Sequence, residues 1–229
     1  MALYALGDLH LSFGTDKPMD VFGGRWEGYV DKLRDGLSVL TEEDTLVIPG
    51  DLSWALCLEE AEADFRFLNS LPGRKLLVKG NHDYWWNTAS KFRSFCSQFE
   101  FDHMELLHNN CHWYKETALC GTRGWFYEEE KGGAHDEKVF LRELGRLEAS
   151  LKAAGEAEKI CFLHYPPRYK GYTCREIIDL MKAYGVRQCI FGHLHGDSHK
   201  LALEGNSEGI DFKLVAADYV QFRPVKILE

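Results

Sequence analysis

The sequence lacks the features expected of an export signal or a membrane anchor. No stretch approaches the ~20 uninterrupted apolar residues that a transmembrane helix requires. The first residues, Met1 to Leu6, lack a basic segment, and Asp8 interrupts the apolar run, so they do not read as a secretory signal. These absences predict a soluble, cytoplasmic protein that does not bind membranes.

Paired cysteines are also missing. The seven cysteines are an odd number, and no two of them have C-x-x-C spacing. Cys161 and Cys189 lie inside apolar runs, where a thiol packs as a small hydrophobic group. Free thiols in a reducing compartment explain this distribution better than a disulfide framework does.

An excess of positive charge is absent as well. The chain has 36 acidic and 27 basic residues, for a formal net charge of −9. This charge disfavours an extended nucleic-acid-binding surface, which needs many lysines and arginines. An acidic protein that handles an anionic phosphate needs a locally positive site, and bound metal ions are the simplest source of that charge.

The chain has no internal repeat or low-complexity segment, and 229 residues fit one domain, residues 1–229, better than two. Short apolar runs alternate with segments of helical period, which predicts an α/β layered fold. Helical faces are predicted within 26–37, 140–151 and 177–181, and terminal β-structure within 211–228, where Pro224 suits an edge or a bend. The predicted strands are Leu3–Leu6, Thr45–Ile48, Lys75–Val78, Thr117–Cys120, Lys159–Leu163 and Arg187–Phe191.

Polar side chains able to bind metal follow five of these strands within a few residues. In open α/β sheets, sites form outside the carboxyl ends of the strands. We therefore expect one cleft to gather the side chains that follow these strands, which are Asp8, His10, Asp51, Asn81, His82, Asp83, His164, His193 and His195.

The residue types in this group indicate two metal ions. Apart from His82 and Asp83, the group consists of two aspartates, one asparagine and four histidines, an oxygen and imidazole set without thiolate that suits manganese, iron or zinc. One metal would not need so many ligands, whereas an aspartate can bridge two. Metal coordination lowers the pKa of water from about 15.7 towards 7 and so provides hydroxide at neutral pH. Glycine before Asp51, Asn81 and His193 is expected to let the backbone turn sharply and approach the metals.

The motifs occur as five blocks in a fixed order, and together they resemble the signature of the calcineurin-like metallophosphoesterases. The resemblance extends from residue 8 to residue 195 and so covers most of the chain. It implies a fold of two facing mixed β-sheets flanked by helices, in four α/β/β/α layers. The blocks are Asp8-Leu9-His10, Gly50-Asp51, Gly80-Asn81-His82-Asp83, His164 and Gly192-His193-Leu194-His195.

The resemblance also implies a role for each residue. The first metal would be held by Asp8, His10, Asp51 and His195. The second would be held by Asp51, Asn81, His164 and His193, with Asp51 bridging the two. His82 resembles the catalytic histidine, which stabilises the phosphate and protonates the leaving oxygen, and Asp83 would hold the other nitrogen of that imidazole. Substrate binding is assigned to Asn81, His82 and Arg123.

Several residues near the motifs depart from the pattern or have two readings. Trp54 stands where many members of the family carry a second aspartate, so we expect the neighbouring pocket to differ. Arg123 follows a strand, and its guanidinium either binds a phosphate through two nitrogens or has a structural role. The segment Glu128–Gly133 is expected to be a solvated loop. The histidines outside the blocks, predicted to be surface or packing residues, are His103, His108, His112, His135 and His199.

These observations predict a metal-dependent hydrolase that cleaves a phosphomonoester or phosphodiester by in-line attack of a metal-bridging hydroxide. Its substrate would be a small-molecule or nucleotide-like phosphate ester. One alternative is a scaffold that keeps the fold for protein interaction. Another is a metallo-β-lactamase-like hydrolase, because His193 to Asp197 reads as H-x-H-x-D; that alternative leaves the earlier blocks unexplained.

Overall fold

The computed structural model describes residues 1–125 and 134–229, and the predicted loop Glu128–Gly133 lies outside this range. The described α-helices are α1 (Tyr29–Leu37), α2 (Glu62–Asn69), α3 (Ala89–Phe99), α4 (Ala134–Ala153) and α5 (Arg175–Ala183). The described strands are β1 (Leu3–Ala5), β2 (Thr45–Pro49), β3 (Arg74–Val78), β4 (Met104–Leu106), β5 (Cys111–Tyr114), β6 (Thr117–Thr122), β7 (Lys159–Leu163), β8 (Arg168–Tyr169), β9 (Tyr172–Thr173), β10 (Val186–Phe191), β11 (Gly205–Ser207), β12 (Ile210–Leu214) and β13 (Val225–Leu228).

Two large mixed sheets form the centre of the molecule. The first has the order β13-β1-β2-β3-β4, in which β1 to β4 are parallel and β13 is antiparallel to β1. The second has the order β11-β12-β10-β7-β6-β5, in which the four inner strands are parallel and the two edge strands are antiparallel. Strands β8 and β9 form a separate hairpin.

Alternating side chains on the strands divide the core into three layers. Leu3 and Ala5 of β1 and Val47 of β2 pack in the cluster between the two sheets. Leu46 and Ile48 of β2 belong to a different cluster, which also contains the buried residues of α1, α2 and α3. This is the period of two that a strand imposes on its side chains.

The second sheet shows the same alternation. Ile160 and Phe162 of β7 face the first sheet, whereas Cys161 and Leu163 pack in a cluster with buried residues of α4 and α5. Three apolar clusters therefore separate four layers in the order α/β/β/α. The predicted fold class, two facing mixed sheets flanked by helices, is confirmed.

The boundaries of some elements differ from the prediction. Trp26 belongs to a short 3-10 helix, Gly24–Trp26, and α1 begins only at Tyr29. Gly28 separates them with a left-handed φ of 63°. The C-terminal β-structure consists of two strands, and Pro224 directly precedes β13, an edge strand of the first sheet.

All seven cysteines are free, as the sequence predicts. Across the described part of the chain, no helix is both long enough and apolar enough to cross a membrane.

Candidate metal centre

The carboxyl ends of strands from both sheets meet at one rim of the molecule, and backbone hydrogen bonds join the loops that follow them. Asp8 N donates to the carbonyl of Gly50 at 2.9 Å, and His10 N donates to that of Asp51 at 3.0 Å. On the second sheet, Gly192 N donates to the carbonyl of His164 at 3.1 Å. Between the sheets, Gly7 N donates to the carbonyl of Val215 at 2.9 Å, so the loops carrying the sequence motifs are parts of one hydrogen-bonded surface.

The predicted ligands form two clusters at this rim. In each cluster, one ligand atom from every member lies within 4.8 Å of the others. Asn81 joins the second cluster, because its Oδ1 lies 2.6 Å from Nε2 of His164. The first cluster is Asp8, His10 and His195, and the second is Asp51, His164 and His193.

Asp51 lies between the two clusters. Its Oδ2 is 3.8 Å from Nε2 of His10 in the first cluster and 3.5 Å from Nε2 of His164 in the second. Its Oδ1 accepts a hydrogen bond of 2.8 Å from the backbone N–H of His82. One carboxylate oxygen is therefore fixed by the backbone, and the other faces both clusters.

The donor set fits divalent metal ions. Asp8 and Asp51 are 0% and 1% exposed, and among the described residues neither carboxylate pairs with a lysine or arginine. Nε2 of His10 lies 3.3 Å from Nε2 of His195, so two imidazole nitrogens face each other directly. A bound cation would offset the desolvation of these carboxylates, and imidazole nitrogens that face each other can bind it between them.

The protonation preferences of the second cluster favour metal binding. Burial, followed by the charges of neighbouring histidines, lowers the pKa of His164 to about 3. Burial and the charge of His164 lower the pKa of His193 to about 3 as well. Both imidazoles are therefore neutral at physiological pH, which is the form that binds a metal. Burial and the charges of Asp83 and Asp8 raise the pKa of Asp51.

Four of the predicted ligands have left-handed backbone conformations. The φ angles of Asp8, His10, Asp51 and His193 are 59°, 47°, 51° and 73°. Residues other than glycine rarely adopt this conformation, and it persists where the surrounding structure imposes it. The loops hold these side chains in place at a cost in backbone energy, which is typical of functional sites.

The glycines of the motifs are required mainly for space. A Cβ atom at Gly80 would overlap Oδ1 of Asp51, and one at Gly192 would overlap Oδ2 of Asp8. Of the glycines before Asp51, Asn81 and His193, Gly50 has the left-handed φ of 87° that a sharp turn requires. The predicted close approach is thus observed between glycine and ligand carboxylates.

Asp218 contributes to the site although no motif contains it. Its Oδ1 lies 2.8 Å from Nδ1 of His195, and its Oδ2 accepts a hydrogen bond of 2.9 Å from Gly196 N. Nε2 of His195 consequently faces the first cluster. Burial lowers the pKa of His195, but Asp8 and Asp218 raise it more, to about 10.

His199 also contacts this carboxylate, with Nε2 3.2 Å from Oδ1 of Asp218. The prediction that His199 is an ordinary surface or packing residue is wrong, because it helps to hold the partner of a candidate ligand. The sequence contains a signal for Asp218. It follows β12 by four residues, as the other candidate ligands follow their strands.

His82 lies beside the clusters, and the predicted contact with Asp83 is not formed. In the described part of the chain, no polar atom is hydrogen-bonded to the buried Nδ1 of His82. The Asp83 carboxylate instead accepts hydrogen bonds from the N–H groups of Asp51, Leu52, Ser53 and Gly80 and from the Trp85 indole. The prediction that Asp83 fixes the tautomer of His82 is therefore wrong; Asp83 joins two loops.

Trp54 packs directly against two histidines of the site. Its ring is stacked on His10, with centroids 4.9 Å apart, and lies 4.3 Å from the ring of His82. The indole N–H points to the Met19 sulfur at 3.3 Å. Trp54 thus forms an aromatic wall beside His10 and His82.

Arg123 lies next to the second cluster. Its carbonyl accepts hydrogen bonds from the N–H groups of His164 and Tyr165. Its guanidinium is 3.6 Å from the carboxylate of Glu143 and 5.9 Å from the centre of the Tyr165 ring.

Asp197, which would complete the H-x-H-x-D pattern, is fully exposed and pairs with Lys200. It belongs to neither ligand cluster, which removes the metallo-β-lactamase-like alternative.

Comparison with known proteins gives consistent results. A sequence model described as calcineurin-like phosphoesterase matches residues 1–197. A protein of unknown function from Aquifex aeolicus has a solved structure that aligns with a TM-score of 0.52 at 17% identity, covering 98% of this chain and 95% of that one. A structure from Thermus thermophilus aligns with a TM-score of 0.49 at 15% identity, covering 99% and 97%. No curated protein matches. At these identities the Aquifex structure supports the fold alone.

Proposed function

Because the chain belongs to the calcineurin-like phosphoesterase family, we propose that it hydrolyses a phosphomonoester or phosphodiester at a dinuclear metal centre. The observation that supports this most strongly is the pair of ligand clusters with Asp51 between them. Retention of every ligand favours an enzyme over a scaffold with weakened metal sites.

The residues present would hold two divalent ions of manganese, iron or zinc. When bound, such ions supply positive charge for phosphate oxygens and make hydroxide available near neutral pH. The first ion would be held by Asp8, His10, Asp51 and His195, and the second by Asp51, Asn81, His164 and His193. Asp218 would orient His195, as carboxylate partners do for many metal-binding histidines.

His82 is the residue best placed to act on the ester itself. Its imidazole is half-buried, and burial followed by the charge of His195 lowers its pKa below the ordinary value. The Trp54 ring packs against it and restricts its orientation. In this proposal, Asn81 and His82 bind the phosphate, and His82 delivers a proton to the leaving oxygen.

The substrate in this proposal is a small-molecule or nucleotide-like phosphate ester, and all 229 residues act as one domain. Strands β12 and β13 lie beyond the matched residues 1–197, yet they pair within the two large sheets. The seven free cysteines favour a reducing, cytoplasmic location.

The test is hydrolysis of para-nitrophenyl phosphate and bis-para-nitrophenyl phosphate by metal-stripped protein, before and after addition of Mn²⁺. We expect manganese to restore activity, and the preferred ester to distinguish a monoesterase from a diesterase. His82→Ala should reduce turnover by roughly 10²–10⁴ without changing metal content, while the exposed control His103→Ala should not. Two bound metals without hydrolysis of either ester would favour the scaffold, and absence of metal binding would refute the proposal.

A further inference from the structure

A cavity of about 680 Å³ with a basic lining lies beside the second ligand cluster. We call it the basic pocket and define it by Lys79, Trp86, His108, Arg123 and Arg146. Its volume falls within the range of about 300–1,000 Å³ that small-molecule sites occupy. None of the candidate metal ligands lines it.

Two of these residues connect the basic pocket to the metal centre. Lys79 precedes Asn81 by two residues at the end of β3. Arg123 follows β6, and its carbonyl holds the backbone N–H of His164 at 3.1 Å. The basic pocket therefore adjoins the two loops that carry Asn81 and His164.

The pocket contains more positive than negative charge. Its acidic lining residues are Glu143 and Glu105. Glu105 is already paired with Arg74, which lies 2.7 Å away and does not line the basic pocket. The buried Glu143 forms ion pairs with both Arg123 and Arg146, and it also accepts a hydrogen bond of 2.9 Å from the Thr122 hydroxyl. One carboxylate thus faces two arginines.

Lys79 adds a further cation to the pocket. Within residues 1–125 and 134–229, Lys79 forms no ion pair. Lys79 is half-buried and lines the pocket together with Arg123 and Arg146. An anion bound here would therefore face three cations.

Two buried nitrogen atoms of the pocket also have no partner. Nε of Arg123 and Nδ1 of His108 are inaccessible to solvent and form no hydrogen bond with the described residues. Buried polar atoms are nearly always hydrogen-bonded, so these two nitrogens keep unused hydrogen-bonding capacity beside the pocket. The Trp86 ring, 5.6 Å from that of His108, adds an apolar wall.

We propose that the basic pocket binds a second oxyanion of the substrate, so that the enzyme acts on phosphate esters that carry another phosphate or carboxylate group. This inference rests on the proposed function, because it assigns the substrate class of the same site. Lys79, Arg123 and Arg146 would bind the second anion, and Trp86 would contact the portion that joins the two groups.

The experiment measures equilibrium binding, so its result does not depend on turnover. Isothermal titration calorimetry of the Mn²⁺-loaded protein would compare α,ω-alkanebisphosphonates with chains of three to six carbons against propylphosphonate. We expect at least one bisphosphonate to bind about ten-fold or more tightly than propylphosphonate. Its second phosphonate would form charge-assisted hydrogen bonds in the basic pocket that propylphosphonate cannot form. Lys79→Gln and Arg146→Gln should each remove most of this preference.

Arg142→Gln is the matched control, because Arg142 is exposed on the same helix as Arg146 and does not line the pocket. Lys79→Gln is the variant less prone to misfold, because among the described residues no carboxylate loses an ion-pair partner when Lys79 is replaced. Equal binding of bisphosphonates and propylphosphonate at every length would overturn the inference, as would a preference that survives both pocket substitutions. Ester hydrolysis without the preference refutes only this inference, whereas the preference without ester hydrolysis refutes only the proposed reaction.

Discussion

Asp218 shows how a residue outside every motif can determine the geometry of a ligand. Its carboxylate binds Nδ1 of His195 and the N–H of the next residue, Gly196. With Nδ1 engaged, only Nε2 of His195 is available to the first cluster. The role of Asp218 is therefore to position His195, and its loss should affect the metal more than the fold.

We expect Asp218→Asn to weaken Mn²⁺ binding by about 10- to 100-fold, the usual effect of removing the carboxylate partner of a metal-binding histidine. Metal dissociation constants from titration calorimetry would measure this, together with kcat/KM at saturating Mn²⁺. Asp197→Asn is the control, because Asp197 is exposed on the same segment. A variant with a lower melting temperature but unchanged metal affinity would show that Asp218 is only structural.

At the scale of elements, the sequence predicted the strands and the ligands together because the same feature marks both. Each motif begins where a short apolar run ends, and β1, β2, β3, β7 and β10 all end in this way. The sequence did not predict α2, whose buried residues are Asp64, Phe65 and Leu68. Only two of its eight residues are buried apolar side chains, which are too few to define a helical face.

The partners of Asp83 could not be predicted, because they depend on how two loops meet. Residues 51–53 follow β2, residues 80–83 follow β3, and the parallel pairing of these strands brings the loops together. The aspartate then accepts N–H groups from both loops. A local motif shows only that Asp83 follows His82, and that proximity in sequence suggested a contact that the backbone does not form.

Asp83→Ala should destabilise the protein by about 3 kcal/mol or more, because several buried N–H groups lose a charged acceptor at once. Chemical denaturation at neutral pH would measure the change in the free energy of unfolding. Asp102→Ala is a suitable control, because Asp102 is exposed to solvent and its replacement removes an aspartate from the surface instead of the interior. Equal stability of the Asp83 variant and the wild type would contradict the role of this carboxylate in joining the loops.

At the scale of the whole molecule, metal binding should be linked to folding. The ligands come from both sheets, so both sheets must be assembled before the two clusters exist. Asp8 and Asp51 are buried without a lysine or arginine partner among the described residues, so bound cations would offset a large part of their desolvation. A ligand that binds only the folded state stabilises it by mass action.

We therefore expect Mn²⁺ at about 100 times its dissociation constant to add about 2.7 kcal/mol per independent site. For a chain of this size, such a change raises the melting temperature by roughly 5–10 °C per site. Differential scanning calorimetry of stripped and Mn²⁺-loaded protein would measure the shift. Asp51→Asn should reduce it, because this residue faces both clusters. Identical melting temperatures with and without metal would show that the ligand clusters bind no ion in the folded state.

Strand β13 covers the outer edge of β1, which would otherwise be exposed. Strand β1 lies between β2 and β13, and residues 225–228 supply the partner on its outer side. Until those residues dock, the buried Leu3 and Ala5 belong to an open strand whose backbone groups can pair with another molecule. A chain trimmed after Pro224 would keep every candidate ligand, yet it would have a sheet edge prone to self-association. The last strand thus covers the backbone groups of β1 and contributes no candidate ligand.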